Sequence, residues 1–137
     1  MKNSKPPLDQ HDTTAILIER NGRFLLVRRA NPPEQGFWAV PGGHRTAGET
    51  IRACAIRECQ EEVGKGQIEK KPFIIFVHDV KVGHRHRAHV FRGTLVGEPR
   101  AGSDAAEARW FSFEEMHEIE LTHYTKKILN AILYGEI

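Results

Sequence analysis

G-H-R-T-A-G-E-T-I-R-A-C-A-I-R-E-C-Q-E-E-V-G-K, residues Gly43 to Lys65, is the stretch on which the reading of the fold turns. Pro41-Gly42-Gly43 and Gly48 break the chain early in it, whereas Ile51 to Val63 contains neither Gly nor Pro, so the pattern predicts a loop that feeds a helix. Gly64 stands where a left-handed C-terminal cap requires it. Ile56, Cys59 and Val63 recur at i, i+3 and i+7, with Ala55 beside them, and predict the stripe that faces a core. Glu58, Glu61 and Glu62 fall on another face, within about 100° of one another around the helix axis. Carboxylates this close repel unless they share a cation, and hard oxygen donors at this density suit Mg2+ or Mn2+. Glu61-Glu62 without that company would read as an ordinary solvated helix end.

The chain has 137 residues, one domain's worth, and a formal net charge of +2. That balance carries no polybasic surface, so neither a nucleic-acid polymer nor a membrane is an expected partner. Cys54 and Cys59 are about 7.5 Å apart along the predicted helix and point in different directions, which rules out a bridge between them. With no other cysteine, no apolar run long enough to span a membrane and no leader-like start, the expectation is a soluble protein of the cytoplasm.

Residues 1–12 are polar and broken by Pro6-Pro7, which predicts a flexible tail ahead of a domain over 13–137. Thr13 to Glu19 and Phe24 to Arg29 read as strands joined at Asn21-Gly22, the strongest short hairpin signal present. Arg29, at the end of the second strand, is a candidate for contact with a phosphate or a base; a solvated strand end is the alternative. Ala30 to Gly36 reads as a loop and Phe37 to Val40 as a short strand. Phe37 or Trp38 could stack on a nucleobase, and a packing role for at least one of them is equally open. Phe73 to Val82 and Ala88 to Val96 read as an antiparallel pair joined through His84-Arg85-His86-Arg87. That segment reads as a basic hairpin end able to attract polyphosphate, with transition-metal binding by the histidine pair as the alternative. Pro99 to Ala108 reads as an acidic loop and Arg109 to Phe111 as a short strand. Ser112 to Glu115 forms a capping box, and Thr122 caps a last helix whose apolar residues are Leu121, Tyr124, Ile128, Leu129, Ile132 and Leu133, closed by Gly135.

Gly43, Glu49, Arg57, Glu58, Glu61, Glu62 and Gly64 together fill every fixed position of G-x5-E-x7-R-E-U-x-E-E-x-G-U, where U is a bulky apolar residue, and in this the chain resembles the Nudix family. Cys59 and Lys65 depart from the pattern at its two softer positions. The segment A-N-P-P-x-x-G-x-W-x-x-P-G-G over residues 30–43 is similar to the approach to this motif in relatives that hydrolyse ADP-ribose. A Pro often found about fifteen residues beyond the motif in those relatives is Val80 here.

The resemblance implies an α/β fold, an α/β/α sandwich with a mixed sheet. It implies Mg2+, with Mn2+ as a substitute, held by Glu58, Glu61, Glu62 and the backbone carbonyl of Gly42, with Arg57 and Glu49 pairing to fix the loop against the helix. The proton acceptor is Glu58 or Glu62 before Glu107; Asp104 and Glu107 are candidates for a further acid from the loop, where Ala105 replaces an acid that many relatives carry. The activity implied is hydrolysis of a pyrophosphate bond in a nucleoside diphosphate linked to another group, with ADP-ribose or a sugar nucleotide ahead of nucleoside triphosphates. A non-catalytic nucleotide-sensing module is the reading from another class. The expected partner is a small nucleotide, and a homodimer is compatible with the family.

Overall fold

The computed structural model describes residues 9–81, 83–102 and 104–135. One long strand, β1 (Asp9–Arg20), carries the architecture. It pairs in parallel with β7 (His84–Leu95) over ten residues, from Asp9 opposite His84 to Ile18 opposite Gly93. On its other side it pairs antiparallel with β4 (Gly42–His44). At its end it turns antiparallel into β2 (Arg23–Arg29). The turn is Asn21-Gly22, with φ of 53° and 76°, the two positive values that such a two-residue hairpin demands. β3 (Trp38–Ala39) and β8 (Ala105–Phe111) flank β2, while β5 (Gly66–Ile68) and β6 (Ile74–Lys81) pair with β7, which gives the mixed sheet expected.

Alternation along β1 and β2 builds two cores. Ala15, Leu17, Phe24 and Leu26 face one side and pack with Met116 of α2 (Phe113–Met116) and with Ile128 and Leu129 of α3 (His123–Tyr134). Ile16, Ile18, Leu25 and Val27 face the other side and pack with Ala55, Cys59 and Val63 at α1 (Ile51–Glu62). Both faces are covered, which is why these strands read as unbroken apolar runs. Among the described residues no helix is long and apolar enough to cross a membrane.

Several expectations change. The loose tail does not reach Asp12: Asp9 to Asp12 lie within β1 and pair with His84 to Arg87, and residues 1–8 lie outside the described residues. Ile56 is 36 % exposed and Cys54 fully buried, so the buried stripe of α1 is Cys54, Ala55, Cys59 and Val63, rotated toward β1 from the one expected. Thr122 occupies the N-cap position of α3, but its hydroxyl donates to Thr125 Oγ1 at 2.8 Å and makes no cap bond. The capping box at Ser112 and Glu115 forms as expected. β8 starts at Ala105, four residues earlier than its composition suggested, because it takes its register from β2. The His84–Arg87 segment stands at the hairpin end expected, with Lys81 opposite His84, but it is strand rather than loop: it starts β7 and is bracketed by β1 and β6.

That last change gathers imidazoles. His84 and His86 continue the row of Ala88 and Val90 on β7, and His78, opposite His86, continues the row of Phe76 on β6. Burial holds His86 down to about 4, helped by His44, His78, His84 and His11. The unfolded chain therefore takes up a proton that the folded chain refuses between pH 6.5 and 4. Stability from this source is complete above pH 6.5 and is lost as pH falls toward 4. Melting in the presence of a chelator is expected to show that loss, with a shallower slope for His86→Asn; equal slopes would remove His86 as its source.

Candidate functional site

Thr50 starts α1 by accepting a hydrogen bond from the Ala53 amide, an N-cap of a kind typically worth about 1 kcal/mol. The chain then presents Arg57 at the centre of an ion-pair hub. Its Nε donates to Glu49 Oε2 at 2.7 Å and its Nη2 to Glu49 Oε1 at 3.1 Å, a two-pronged clamp. Nη1 reaches Glu58 at 2.9 Å and Glu61 at 3.1 Å, and Nη2 also donates to the His44 carbonyl at 3.1 Å. Glu49 in turn accepts from the amide and hydroxyl of Thr46, both at 3.1 Å. The loop is thereby fastened to the helix at both of its ends. The Arg57 bond lowers the Glu49 carboxyl to about 2, and the same contacts raise Arg57 further.

The remaining acids behave oppositely. Glu58 is pushed up by burial, against the pull of Arg57. Glu62 is pushed up to about 8, first by burial and then by the charges of Glu58 and Asp104, although it accepts a hydrogen bond from the Gly42 backbone and feels Arg29. Carboxyl groups raised by burial and by neighbouring carboxylates would be lowered again by a cation between them, and the hard oxygen donors here fit a divalent one. Among the described residues no three His, Cys, Asp or Glu side chains converge on one centre. Arg57 keeps Glu58 and Glu61 to itself while Glu62 lies against Gly42. An open ridge of this kind suits Mg2+, which takes few protein ligands and completes its shell with water and phosphate.

Arg29 and Asp104 are the other groups the fold brings to Glu62. Arg29 is held by its Nε bond to the Pro33 carbonyl at 2.7 Å. Asp104 is placed by its carbonyl, which accepts from the Ala30 amide at 2.9 Å, and by the turn before it, where the Gly102 amide donates to the Glu62 carbonyl at 2.9 Å. A Cβ on Gly102 would come within 2.5 Å of the Glu61 carbonyl oxygen, so only glycine allows that loop to cap the end of α1.

Glu107 is not part of this group. It alternates onto the sheet face away from α1, whereas Ala108 and Trp110 of the same strand point toward α1. There it is neutralised by Arg28, at 3.4 Å, and by Arg109. Trp38 is 8 % exposed and packs edge-on against Phe111 with ring centroids 4.8 Å apart. It serves the core beneath α3. Phe37 is half-buried at the start of the same segment. Sequence reasoning passed over two residues of α3. Tyr124 donates its hydroxyl to the Val40 carbonyl at 2.6 Å, and Thr125 Oγ1 accepts from the Val40 amide at 3.2 Å. They clamp the strand leading to Gly42, and nothing in a helix-period pattern marks them for it.

Comparison with known proteins adds independent findings. A model of the NUDIX domain matches residues 9–132. The chain is 32 % identical over 120 residues, 82 % of its length and 69 % of the relative's, to a protein of Methanocaldococcus jannaschii named ADP-ribose pyrophosphatase. It is 33 % identical over 89 residues, 61 % of its length and 66 % of the relative's, to one of Escherichia coli named CTP pyrophosphohydrolase. It superposes on the crystal structure of a MutT NUDIX hydrolase from Burkholderia pseudomallei with a TM-score of 0.78 and 29 % identity, covering 89 % of this chain and 97 % of that one.

The two glycines before the helix separate fold from site. A Cβ on Gly43 would lie 2.3 Å from the Glu58 carboxyl carbon, the far end of a side chain that can swing away. A Cβ on Gly42 would lie 2.0 Å from the Thr14 backbone oxygen, which cannot. Gly43→Ala is expected to keep its melting temperature within a few degrees and lose about tenfold or more in Mn2+ affinity, whereas Gly42→Ala is expected to melt far lower. Equal melting losses, or full Mn2+ affinity in Gly43→Ala, would contradict the placement of Glu58.

Proposed function

The chain belongs to the Nudix family and is a Nudix hydrolase, and from that premise we propose that it hydrolyses, with Mg2+, the pyrophosphate bond of a nucleoside diphosphate linked to another group, ADP-ribose or a sugar nucleotide. The observation that carries the chemistry is the ridge itself: Glu58 and Glu62 raised together, with Arg57 fixing the loop that delivers Gly42 and Gly43 to them. The likeness to a protein named ADP-ribose pyrophosphatase favours that substrate class. The likeness to one named CTP pyrophosphohydrolase keeps nucleoside triphosphates as the second reading.

Glu58, Glu61 and Glu62, with the Gly42 carbonyl, would hold the ion, Mn2+ serving in place of Mg2+. A bound divalent ion neutralises phosphate oxygens and lowers the pKa of water in its shell. The rest falls to the chain's own groups. Arg57 and Glu49 are positioning residues, since they touch each other and the ridge. Arg29, beside Glu62 and tied by one nitrogen to Pro33, presents its guanidinium to the phosphates. Phe37 offers the aromatic edge nearest that loop to a base. Glu62 or Glu58 would take the proton of the attacking water, since these carboxylates would stand beside the ion and the water in its shell. Asp104 replaces Glu107 as the loop acid at the ridge. We place the protein in the cytoplasm, on the two buried free thiols at Cys54 and Cys59.

Incubation with Mg2+ and a panel of ADP-ribose, sugar nucleotides, dinucleotides and nucleoside triphosphates separates the readings. AMP plus ribose phosphate is expected; a nucleoside monophosphate plus pyrophosphate would favour the second reading. Saturable binding without turnover would mean a sensing module. Glu62→Gln and Glu61→Gln are each expected to lose most turnover, roughly 10²-fold or more for Glu62→Gln, with melting unchanged. Parent-rate turnover by folded Glu62→Gln would overturn the assignment.

A further inference from the structure

The sheet face that carries α1 continues past the start of that helix as polar residues that the mechanism above does not use. Asp12 extends the row of Thr14 and Ile16 on β1, and His89 extends the row of Phe91 on β7. The two meet, with His89 Nε2 3.2 Å from Asp12 Oδ1. Burial pushes the Asp12 carboxyl up, but the His89 bond and the charges of His89, Arg45 and Arg87 outweigh it and hold the group below its ordinary value. An ionised carboxylate only accepts, so His89 is the donor.

Arg45 takes the other oxygen. Its Nη2 donates to Asp12 Oδ2 at 3.4 Å, and its backbone amide donates to the Asp12 carbonyl at 3.0 Å. Its Nη1 donates to the Glu49 carbonyl at 3.2 Å. One side chain thus spans the loop from the residue after β4 to the residue before the Thr50 cap of α1. Glu49 is the residue whose carboxylate grips Arg57, at 2.7 and 3.1 Å. A solvated strand end would leave Asp12 and Arg45 to water. Here each Asp12 oxygen meets one donor, and Arg45 meets an acceptor at each end of the loop. Partly exposed ion pairs contribute little stability, so the consequence of this one is for geometry rather than for the fold.

We propose that Asp12 and Arg45 are positioning residues for the carboxylate ridge: Asp12, oriented by His89, holds Arg45 as a crossbar that fixes the Glu49 backbone and so the carboxylate that clamps Arg57 beside Glu58 and Glu61. The inference rests on the reading that Glu58, Glu61 and Glu62 hold the ion. Through the crossbar the register of β1 with β7 reaches the ridge, although none of Asp12, His89 and Arg45 belongs to the acidic motif. Asp12→Asn would offer one acceptor to two donors, releasing either His89 or Arg45.

Two measurements on the full chain test it: Mn2+ titration followed by electron paramagnetic resonance, and hydrogen exchange of the Arg57 Nε–H without metal. Asp12→Asn and Arg45→Met are each expected to weaken Mn2+ binding about threefold or more and to speed the Arg57 exchange, with melting little changed. The double variant is expected to be no worse than either single one, because both cut the same tie; two unrelated structural losses would add. Should Asp12→Asn melt early, Arg45→Met gives the reading. Parent affinity and parent exchange in folded Arg45→Met, or additive losses in the double variant, would overturn the crossbar. If Glu62→Gln weakens Mn2+ binding while Arg45→Met behaves as the parent, the ridge stands and the crossbar alone falls. A parent that binds no Mn2+ would overturn the ridge, and the Arg57 exchange would then decide the crossbar.

Discussion

Arg57 is the contact the rest of the site depends on. One guanidinium holds Glu49 by two bonds and Glu58 and Glu61 by one nitrogen. It thereby turns a run of acids that would repel into a shaped ridge. The compensation is incomplete by construction. Glu49 receives most of it and is driven strongly acidic, while Glu58 and Glu62, more enclosed, remain raised. Structure and electrostatics are divided between loop and helix: Glu49, ahead of α1, fixes the loop, and Glu58 and Glu62 on α1 keep a demand for positive charge. Supplying that charge with an ion and a phosphate chain is the use that the Nudix family makes of such a helix.

The sheet explains how that ridge is held at a fixed height. β1 alternates between two cores, so α1 is pinned by Cys54, Ala55, Cys59 and Val63 on one face while α2 and α3 fill the other. Gly42 and Gly43 sit on the edge strand against β1 and are the only residues small enough there to let Thr14 on one side and Glu58 on the other come so near. Tyr124 and Thr125 then hold the strand that precedes them by its Val40 backbone. The site is thus set from three elements far apart in sequence, none of which can shift without moving a carboxylate.

How much of this could be read in the chain depends on how local each cause is. The helix, its acids, the Asn21-Gly22 turn and the capping box at Ser112 are written in neighbouring residues, and all appear. The parallel pairing of β1 with β7 is not local. His84 to Arg87 look like a solvated hairpin end because their β1 partners lie some seventy residues earlier, and the polar residues Asp9 to Asp12 look like a tail because those partners lie as far ahead. Ile56 reads as part of the buried stripe because period alone cannot say which of the two apolar residues flanking Ala55 turns inward; Cys54, smaller and less conspicuous, fits the close approach to Thr14. Trp38 and Glu107 lie away from the ridge for a common reason. Both lie on strands whose facing is decided by register with β2, and register put them on the side away from α1.

The central claim is that the ridge is electrostatically incomplete until a divalent ion joins it. Following the Glu62 carboxyl by carbon-13 NMR through a pH titration, without and then with Mg2+, tests it most directly. Without the ion the carboxyl is expected to titrate near 8, and with it to drop to or below the ordinary carboxylate range. A Glu62 that titrates like a free glutamate in both conditions, or that ignores Mg2+, would contradict the account.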